Sequence, residues 1–89
     1  MTDSQKSELR GAVQGFVSEV LRGKRVVKKP EEIVEGLSFT RELGIDSLDI
    51  LQMTATLEKR FKLKIPEGEL KSMDDLGGVV SAVERNWPA

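Results

Sequence analysis

The chain has 89 residues, of which 33% are charged and 38% hydrophobic, and its 14 basic and 15 acidic side chains leave a formal net charge of −1. This length predicts one globular domain over residues 1–89 with a single modest core, and the charge balance gives no indication of nucleic-acid or acidic-membrane binding. The chain lacks cysteine and histidine, which excludes disulfides, thiolate metal sites, a cysteine nucleophile and Ser-His-Asp catalysis.

No apolar segment approaches the length of a transmembrane helix, roughly 18 to 20 residues, and residues 1–6 lack the apolar core of a signal peptide. We therefore expect a cytoplasmic protein. Because the commonest catalytic base and metal ligand are missing, we also expect no catalytic residue and no metal site.

The first helix is predicted from about Ser4 to Leu21. Its apolar side chains recur at spacings of three and four residues, which indicates one buried stripe. The stripe comprises Leu9, Val13, Phe16, Val17, Val20 and Leu21. Thr2 and Gln5 have the spacing of a capping box, and Gly23 is a typical terminator.

A basic segment, residues 22–29, follows with five positive charges. We interpret it as a solvated helix end and loop, since cations are favourable near a helix C-terminus. The alternative is a patch that binds the phosphates of a ligand or a partner. After this segment, Pro30 followed by Glu31 and Glu32 predicts a short helical turn.

Residues 33–45 form a long connection, which apolar side chains must hold against the core if it is to be ordered. Phe39 and Leu43 are the expected anchors.

The second helix is predicted from Ser47 to Arg60 or Phe61, with no glycine or proline inside it. At about 100° per residue, its apolar side chains form two groups rather than one stripe. The group expected in the core comprises Ile50, Met53, Leu57 and Phe61, with Thr54 beside them. The second group comprises Leu48, Leu51 and Ala55, and it either packs on a neighbouring loop or forms an exposed docking surface.

Residues 61–65 alternate apolar and polar, and we interpret them as an extended connection with Leu63 and Ile65 pointing inward. A short helical turn is expected over residues 66–70. The last helix is expected to begin between residues 72 and 75, with a cap followed by acidic residues in its first turn.

Ser72 to Asp75 supply that cap and those acids, and we interpret Asp74 and Asp75 as capping residues rather than as metal ligands. The sequence does not predict the position of Trp87, which either folds back on the core or protrudes. Taken together, the elements predict an all-α protein: a small antiparallel helical bundle of three main helices and one or two short helical turns, with a long loop between the first two helices.

The segment from Glu42 to Asp49 joins that loop to the second helix. Gly44 supplies backbone freedom, and Asp46 is a good N-cap residue. Ser47 then stands at the start of the helix, near free N–H groups and the positive end of the helix dipole, where a phosphate on its hydroxyl would be favourably placed. The residues alone leave a second interpretation open, in which Ser47 only helps to cap the helix.

Residues 43–48, Leu-Gly-Ile-Asp-Ser-Leu, resemble the phosphopantetheine attachment signature of acyl carrier proteins. Residues at positions similar to those of the family flank this signature on both sides. They are Phe39, Leu57, Glu58, Phe61, Ile65 and Pro66. The resemblance covers residues 30–83, and in the first helix it is limited to the amphipathic pattern.

The resemblance implies a carrier without catalytic activity, which holds acyl groups as thioesters on a 4′-phosphopantetheine arm bound covalently to Ser47. Asp46 and Leu48 complete the attachment motif. The implied partners are a phosphopantetheinyl transferase and the acyl-transferring, condensing or acyl-activating enzymes of a fatty-acid, lipid or polyketide pathway. The carrier itself is expected to be a monomer.

In this family the second helix is usually the recognition helix, and its polar face is typically acidic. The docking residues implied here are Leu48, Asp49, Leu51, Gln52, Ala55 and Glu58. Gln52, Lys59 and Arg60 depart from the acidic pattern, and the near-neutral net charge departs from a usually strongly acidic family. Because charge complementarity influences partner choice, these departures favour a dedicated synthase over the general fatty-acid synthase.

Two alternatives stay open. Within the carrier class, Asp46 before the serine resembles acyl carriers more than peptidyl carriers, and a D-alanyl or other aminoacyl carrier is the alternative. Outside that class, the chain is a non-catalytic helical interaction module whose exposed group of Leu48, Leu51 and Ala55 binds one protein.

Overall fold

The computed structural model describes residues 1–88, and within them it contains three α-helices and two short 3-10 helices but no β-strand. The α-helices are α1 (Asp3–Gly23), α2 (Ser47–Phe61) and α3 (Leu76–Arg85), and the 3-10 helices are Pro30–Glu32 and Glu67–Ser72. The predicted all-α bundle, with its short helical turns and its long loop after the first helix, is confirmed.

The N-terminus of α1 has the predicted capping box. Thr2 Oγ1 accepts a hydrogen bond from the Gln5 N–H at 3.1 Å, and Gln5 Oε1 accepts one from the Thr2 N–H at 2.7 Å. Two N–H groups that have no partner within the helix are thereby satisfied. The buried side of α1 carries Leu9, Val13, Val17 and Leu21.

α1 runs antiparallel to both other helices. At its N-terminal end, Lys6 Nζ lies 3.1 Å from a carboxylate oxygen of Glu84 in the last turn of α3. Just past its C-terminal end, Lys24 Nζ lies 3.5 Å from a carboxylate oxygen of Asp49 in the first turn of α2. Such ion pairs near the surface contribute little stability, so burial of the apolar faces holds the helices together.

The core lies between the three helices and includes side chains from the connections as well. Its buried apolar residues are Leu9, Val13, Val17, Leu21, Ile33, Phe39, Ile45, Ile50, Met53, Leu57, Leu63, Ile65, Met73, Leu76, Val79, Ala82 and Val83. Leu63 and Ile65 point inward, as the alternation predicts. Trp87 folds back on this core, with its ring centroid 5.8 Å from that of Phe61.

The last helix begins one residue after the expected range of residues 72–75, and the expected capping role is confirmed for Asp75 but not for Asp74. α3 begins at Leu76, and its cap is Asp75, whose Oδ1 accepts from the Gly78 N–H at 2.7 Å. Ser72 belongs to the second 3-10 helix, and the first turn of α3 contains no acidic residue. Asp74 does not cap α3, because its carboxylate accepts hydrogen bonds from Ser38 and Thr40 of the long loop.

The two glycines in the first turn of α3 are not equivalent. A Cβ atom on Gly78 would overlap the carbonyl oxygen of Ser72, whereas one on Gly77 would lie 3.6 Å from Cγ of Glu35, an ordinary contact. We expect Gly78→Ala to lower the free energy of unfolding by about 2 kcal/mol. Gly77→Ala, the matched control, should leave it unchanged or raise it by up to about 1 kcal/mol, because alanine favours a helix.

Urea unfolding followed by circular dichroism measures both variants. Equal destabilisation of the two would contradict the close approach of the second 3-10 helix to the first turn of α3.

Candidate functional site

The long connection between α1 and α2 is held to the bundle by buried apolar side chains and by backbone hydrogen bonds. Phe39 is fully buried, its N–H donates to the carbonyl oxygen of Asp74 at 2.6 Å, and its own carbonyl oxygen accepts from the Ile45 N–H at 2.9 Å. Ile33 and Ile45 are buried as well. Leu43, the other expected anchor, is only partly buried against the core. These contacts therefore fix the path of the connection up to the start of α2.

The carboxylate of Asp74 also holds this connection to the bundle, in addition to the backbone hydrogen bonds of Phe39. It accepts hydrogen bonds from the Ser38 hydroxyl, from the Thr40 N–H at 3.1 Å and from the Thr40 hydroxyl at 2.8 Å. Partial burial acts to raise the pKa of Asp74, but these hydrogen bonds and the nearby charge of Arg41 outweigh it and hold the pKa below the ordinary value of 3.8. Sequence reasoning missed this role, because the position of Asp74 just before α3 is also typical of a capping residue.

The lowered pKa makes this fastening dependent on pH. Because the folded-state pKa of Asp74 lies below the unfolded value, its ionised form stabilises the fold above the unfolded pKa, and this stabilisation is lost as the pH falls through the folded pKa. We expect Asp74→Asn to cost about 1–2 kcal/mol at neutral pH, through weakened hydrogen bonds. The difference from the wild type should shrink at a pH of about 3.

Urea unfolding of both proteins at the two pH values measures this dependence. A difference that stays constant between them would contradict a stabilising role for the ionised carboxylate of Asp74.

The start of α2 has a second capping box. Asp46 Oδ1 accepts from the Asp49 N–H at 3.0 Å, and Asp49 Oδ2 accepts from the Asp46 N–H at 3.3 Å. The N–H of Asp49 lowers the pKa of Asp46. Gly44, two residues earlier, has a φ of 71°, in the left-handed region that its missing Cβ permits. The predicted helix start, cap and glycine turn are confirmed.

Ser47 is exposed in the first turn of α2. Because Asp46 caps the helix, the Ser47 hydroxyl is not needed for this purpose, and within residues 1–88 it forms no hydrogen bond. An exposed hydroxyl at a helix N-terminus fits a covalently attached phosphodiester, since free N–H groups and the helix dipole favour negative charge there.

An open groove of about 430 Å³ lies beside Ser47. Its lining residues are Thr40, Arg41, Ser47, Ile50, Leu70, Lys71 and Asp74. Ile50 and Leu70 give it an apolar floor, and Arg41 and Lys71 place two cations at the site, which sequence reasoning missed. A larger groove of about 490 Å³ opens between α1 and α2, but Ser47 does not line it.

The expected division of α2 into a buried and an exposed group is confirmed, except that Phe61 is only partly buried against the core. Ile50, Met53, Thr54 and Leu57 are buried. Leu48 is 61% exposed and Leu51 46% exposed, and Gln52 and Ala55 are also exposed. Glu58 is partly buried, and its Oε2 accepts from a backbone N–H at 2.8 Å. The exposed group therefore forms an apolar surface that begins one residue after Ser47.

The basic segment, residues 22–29, is exposed apart from partly buried Lys28, which agrees with a solvated helix end. Arg22 forms an ion pair with Glu19 at 3.2 Å. No group of three or more Asp, Glu, His or Cys side chains in the described part of the chain is arranged to hold a metal ion. None of the helices in residues 1–88 combines the length and the apolar character needed to cross a bilayer.

Comparison with known proteins identifies the family of this chain. A family model described as a phosphopantetheine attachment site matches residues 16–83, from the middle of α1 to α3. Similar relatives include the acyl carrier protein of Borreliella burgdorferi, which is 35% identical over 78 residues, covering 88% of this chain and 91% of the relative. The acyl carrier protein of Wolinella succinogenes is 39% identical over 57 residues, covering 64% of this chain and 75% of the relative.

A mitochondrial acyl carrier protein of Neurospora crassa is also similar, with 35% identity over 76% of this chain and 48% of the relative. Proteins of this family carry acyl groups for other enzymes and are not catalysts, and their prosthetic group is a covalently attached 4′-phosphopantetheine. The matched region contains the long connection, the whole of α2 and the groove beside Ser47. The chain therefore belongs to the acyl carrier protein family.

Proposed function

We propose that Ser47 is the attachment point of the 4′-phosphopantetheine arm, with Asp46 and Leu48 as the flanking motif, and that the chain carries acyl intermediates as thioesters. The observation that carries this proposal is the exposed Ser47 hydroxyl, which is left free by the Asp46 cap and lies beside an open groove. The thiol of the attached arm supplies the thioester chemistry that a chain without cysteine lacks.

Ser47 Oγ forms the new bond to the pantetheine-bearing phosphorus atom of the CoA pyrophosphate. The P–O bond between the two phosphates of that pyrophosphate breaks, and adenosine 3′,5′-bisphosphate leaves with the bridging oxygen. The hydroxyl proton passes to a base of the transferase, because this chain has no histidine and the neighbouring carboxylates of Asp46 and Asp49 are engaged in the capping box. The free N–H groups and the dipole at the start of α2 stabilise the negative charge that remains on Ser47.

The docking surface that we propose has Leu48, Leu51 and Ala55 as its apolar centre, with Gln52 beside them and Asp49 and Glu58 at its flanks. Its partners are a phosphopantetheinyl transferase and acyl-transferring, condensing or acyl-activating enzymes. The near-neutral net charge supports a dedicated fatty-acid, lipid or polyketide synthase as the client, because charge influences partner choice. The carrier works as a monomer in the cytoplasm, where CoA is available.

Incubation of the apo protein with CoA, Mg²⁺ and a broad-specificity phosphopantetheinyl transferase tests the attachment. We expect intact-mass spectrometry to show one phosphopantetheine increment, and the new thiol to accept acyl groups from acyl-activating enzymes. No increment with several transferases would instead favour the non-catalytic interaction module. Selective charging with an amino acid would reassign the chain to the aminoacyl carriers.

A further inference from the structure

The groove beside Ser47 is bounded by α2, by the long connection and by the second 3-10 helix, and these elements are held to the bundle in different ways. α2 has four buried residues, and the long connection also has buried apolar side chains. The second 3-10 helix has no buried residue, and Leu70 is only partly buried against the core. Leu70 and Lys71 form its side of the groove. This wall therefore depends more on polar contacts than the other two do.

The polar contacts of this wall converge on the carboxylate of Glu69. Arg85, the last residue of α3, donates from Nε to one oxygen of Glu69 at 3.0 Å and from Nη2 to the other at 2.9 Å. Asn86 donates from Nδ2 to Glu69 at 2.7 Å. These bonds from Arg85 and Asn86 hold the pKa of Glu69 below its ordinary value of 4.5. Because a guanidinium that binds both oxygens fixes a carboxylate in place, this contact holds the wall more firmly than an ordinary surface ion pair does.

We propose that Glu69, held by Arg85 and Asn86, is a positioning residue: it fixes the wall of the groove in which the aliphatic part of a carried acyl group lies. The proposal rests on the function proposed for Ser47, since the arm tethers the acyl group beside this groove. The apolar floor favours an aliphatic chain, because each buried methylene group adds to binding. A displaced wall thus exposes a long acyl group to water, whereas a group too short to fill the groove is unaffected.

Cleavage of the thioester by hydroxylamine measures this shelter. Octanoyl and acetyl thioesters are formed separately on the loaded protein, and in the wild type we expect the octanoyl thioester to be cleaved more slowly than the acetyl thioester. Glu69→Ala should speed cleavage of the octanoyl thioester about fourfold, which is the equivalent of one buried methylene group. Cleavage of the acetyl thioester should stay unchanged, and a general loss of stability would not produce this dependence on chain length.

Glu67→Ala is the matched control for this variant. Glu67 is exposed in the same 3-10 helix, and its carboxylate forms no ion pair among residues 1–88. Its loss should leave both cleavage rates unchanged. Arg85→Ala should reproduce the effect of Glu69→Ala, and the two substitutions together should have no larger effect than Glu69→Ala alone, because both remove the same contact.

Amide hydrogen exchange in the protein without its arm supplies the second measurement. The N–H of Met73 donates to the carbonyl oxygen of Leu70 at 3.1 Å, at the end of the second 3-10 helix. Glu69→Ala should speed exchange of this N–H about tenfold, because the helix opens more readily without its charge-assisted contact. Glu67→Ala should leave the exchange rate unchanged.

An unchanged exchange rate at Met73 in Glu69→Ala would overturn the proposal. Equal acceleration of octanoyl and acetyl cleavage would do so as well, and so would a wild type that cleaves both thioesters at the same rate. A protein that takes up no arm, with faster exchange at Met73 in Glu69→Ala, would refute the carrier function and still support Glu69 as the residue that fixes this wall.

Discussion

Ser47→Ala is expected to abolish attachment of the arm completely, under conditions that convert the wild-type protein fully. The substitution removes the oxygen to which the phosphodiester is bound in the proposed function, and an alanine side chain cannot replace it. Intact-mass spectrometry after incubation with CoA and transferase measures the loss. A remaining increment would show that another residue accepts the arm, and peptide mapping would locate it.

Ser4 provides a matched control for this variant. Like Ser47, it is an exposed serine that follows an aspartate in the first turn of a helix, here α1. It lacks the glycine turn of Gly44 and the adjacent groove of the Ser47 site. Ser4→Ala should therefore load as fully as the wild type, and reduced loading would mean that an exposed serine at a helix start is sufficient on its own.

Ser47→Ala should also leave the fold intact. Because the Asp46 carboxylate caps α2, the free energy of unfolding is expected to change by less than about 0.5 kcal/mol. Circular dichroism and urea unfolding check this. A strong loss of stability would revive the interpretation in which the Ser47 hydroxyl serves the helix start, and it would make the missing increment uninformative.

The parts of the site that depend on neighbouring residues could be predicted from the sequence. Gly44, Asp46 and Ser47 lie within four residues of one another. The conformation of a glycine turn followed by a helix cap depends only on such neighbouring residues. The exposed side of α2 could also be predicted, because helical periodicity alone separates Leu48 and Leu51 from the core.

The parts that depend on distant residues could not be predicted. The carboxylate of Asp74 accepts hydrogen bonds from Ser38 and Thr40, which lie 36 and 34 positions earlier, so it is engaged by the long loop and does not cap α3. Likewise, nothing in the sequence shows that Arg41 and Lys71 line one groove. Local sequence patterns predict the helices of this fold. Which charged side chains surround Ser47 depends instead on the path of the long connection, which long-range contacts determine.

That course depends above all on Phe39, and Phe39→Ala is expected to lower the free energy of unfolding by about 3–5 kcal/mol. The side chain is fully buried, so its loss removes apolar burial and leaves a cavity. Domains of this size are stable by only about 5–15 kcal/mol, and small ones lie near the lower end. Much of the variant should therefore be unfolded at moderate urea concentrations that the wild type tolerates.

Loss of the Phe39 side chain is also expected to affect the position of Ser47, because the backbone of Phe39 forms two hydrogen bonds that hold the long connection. Its N–H donates to the carbonyl oxygen of Asp74. Its own carbonyl oxygen accepts from the N–H of Ile45, one residue before the cap of α2. A displaced Phe39 would thus free the segment that presents Ser47. Phe39→Leu, which keeps most of the apolar volume, should fold at a cost of about 1.5 kcal/mol and load more slowly than the wild type.

Leu48→Ala separates stability from recognition. Leu48 is 61% exposed, so its truncation should change the free energy of unfolding by less than about 0.5 kcal/mol, yet it removes part of the proposed docking surface. Urea unfolding and initial loading rates, measured side by side, distinguish the two effects. If Phe39→Ala unfolded at the same urea concentration as Leu48→Ala, the long connection would not depend on Phe39, and the defined position of Ser47 would need another physical cause.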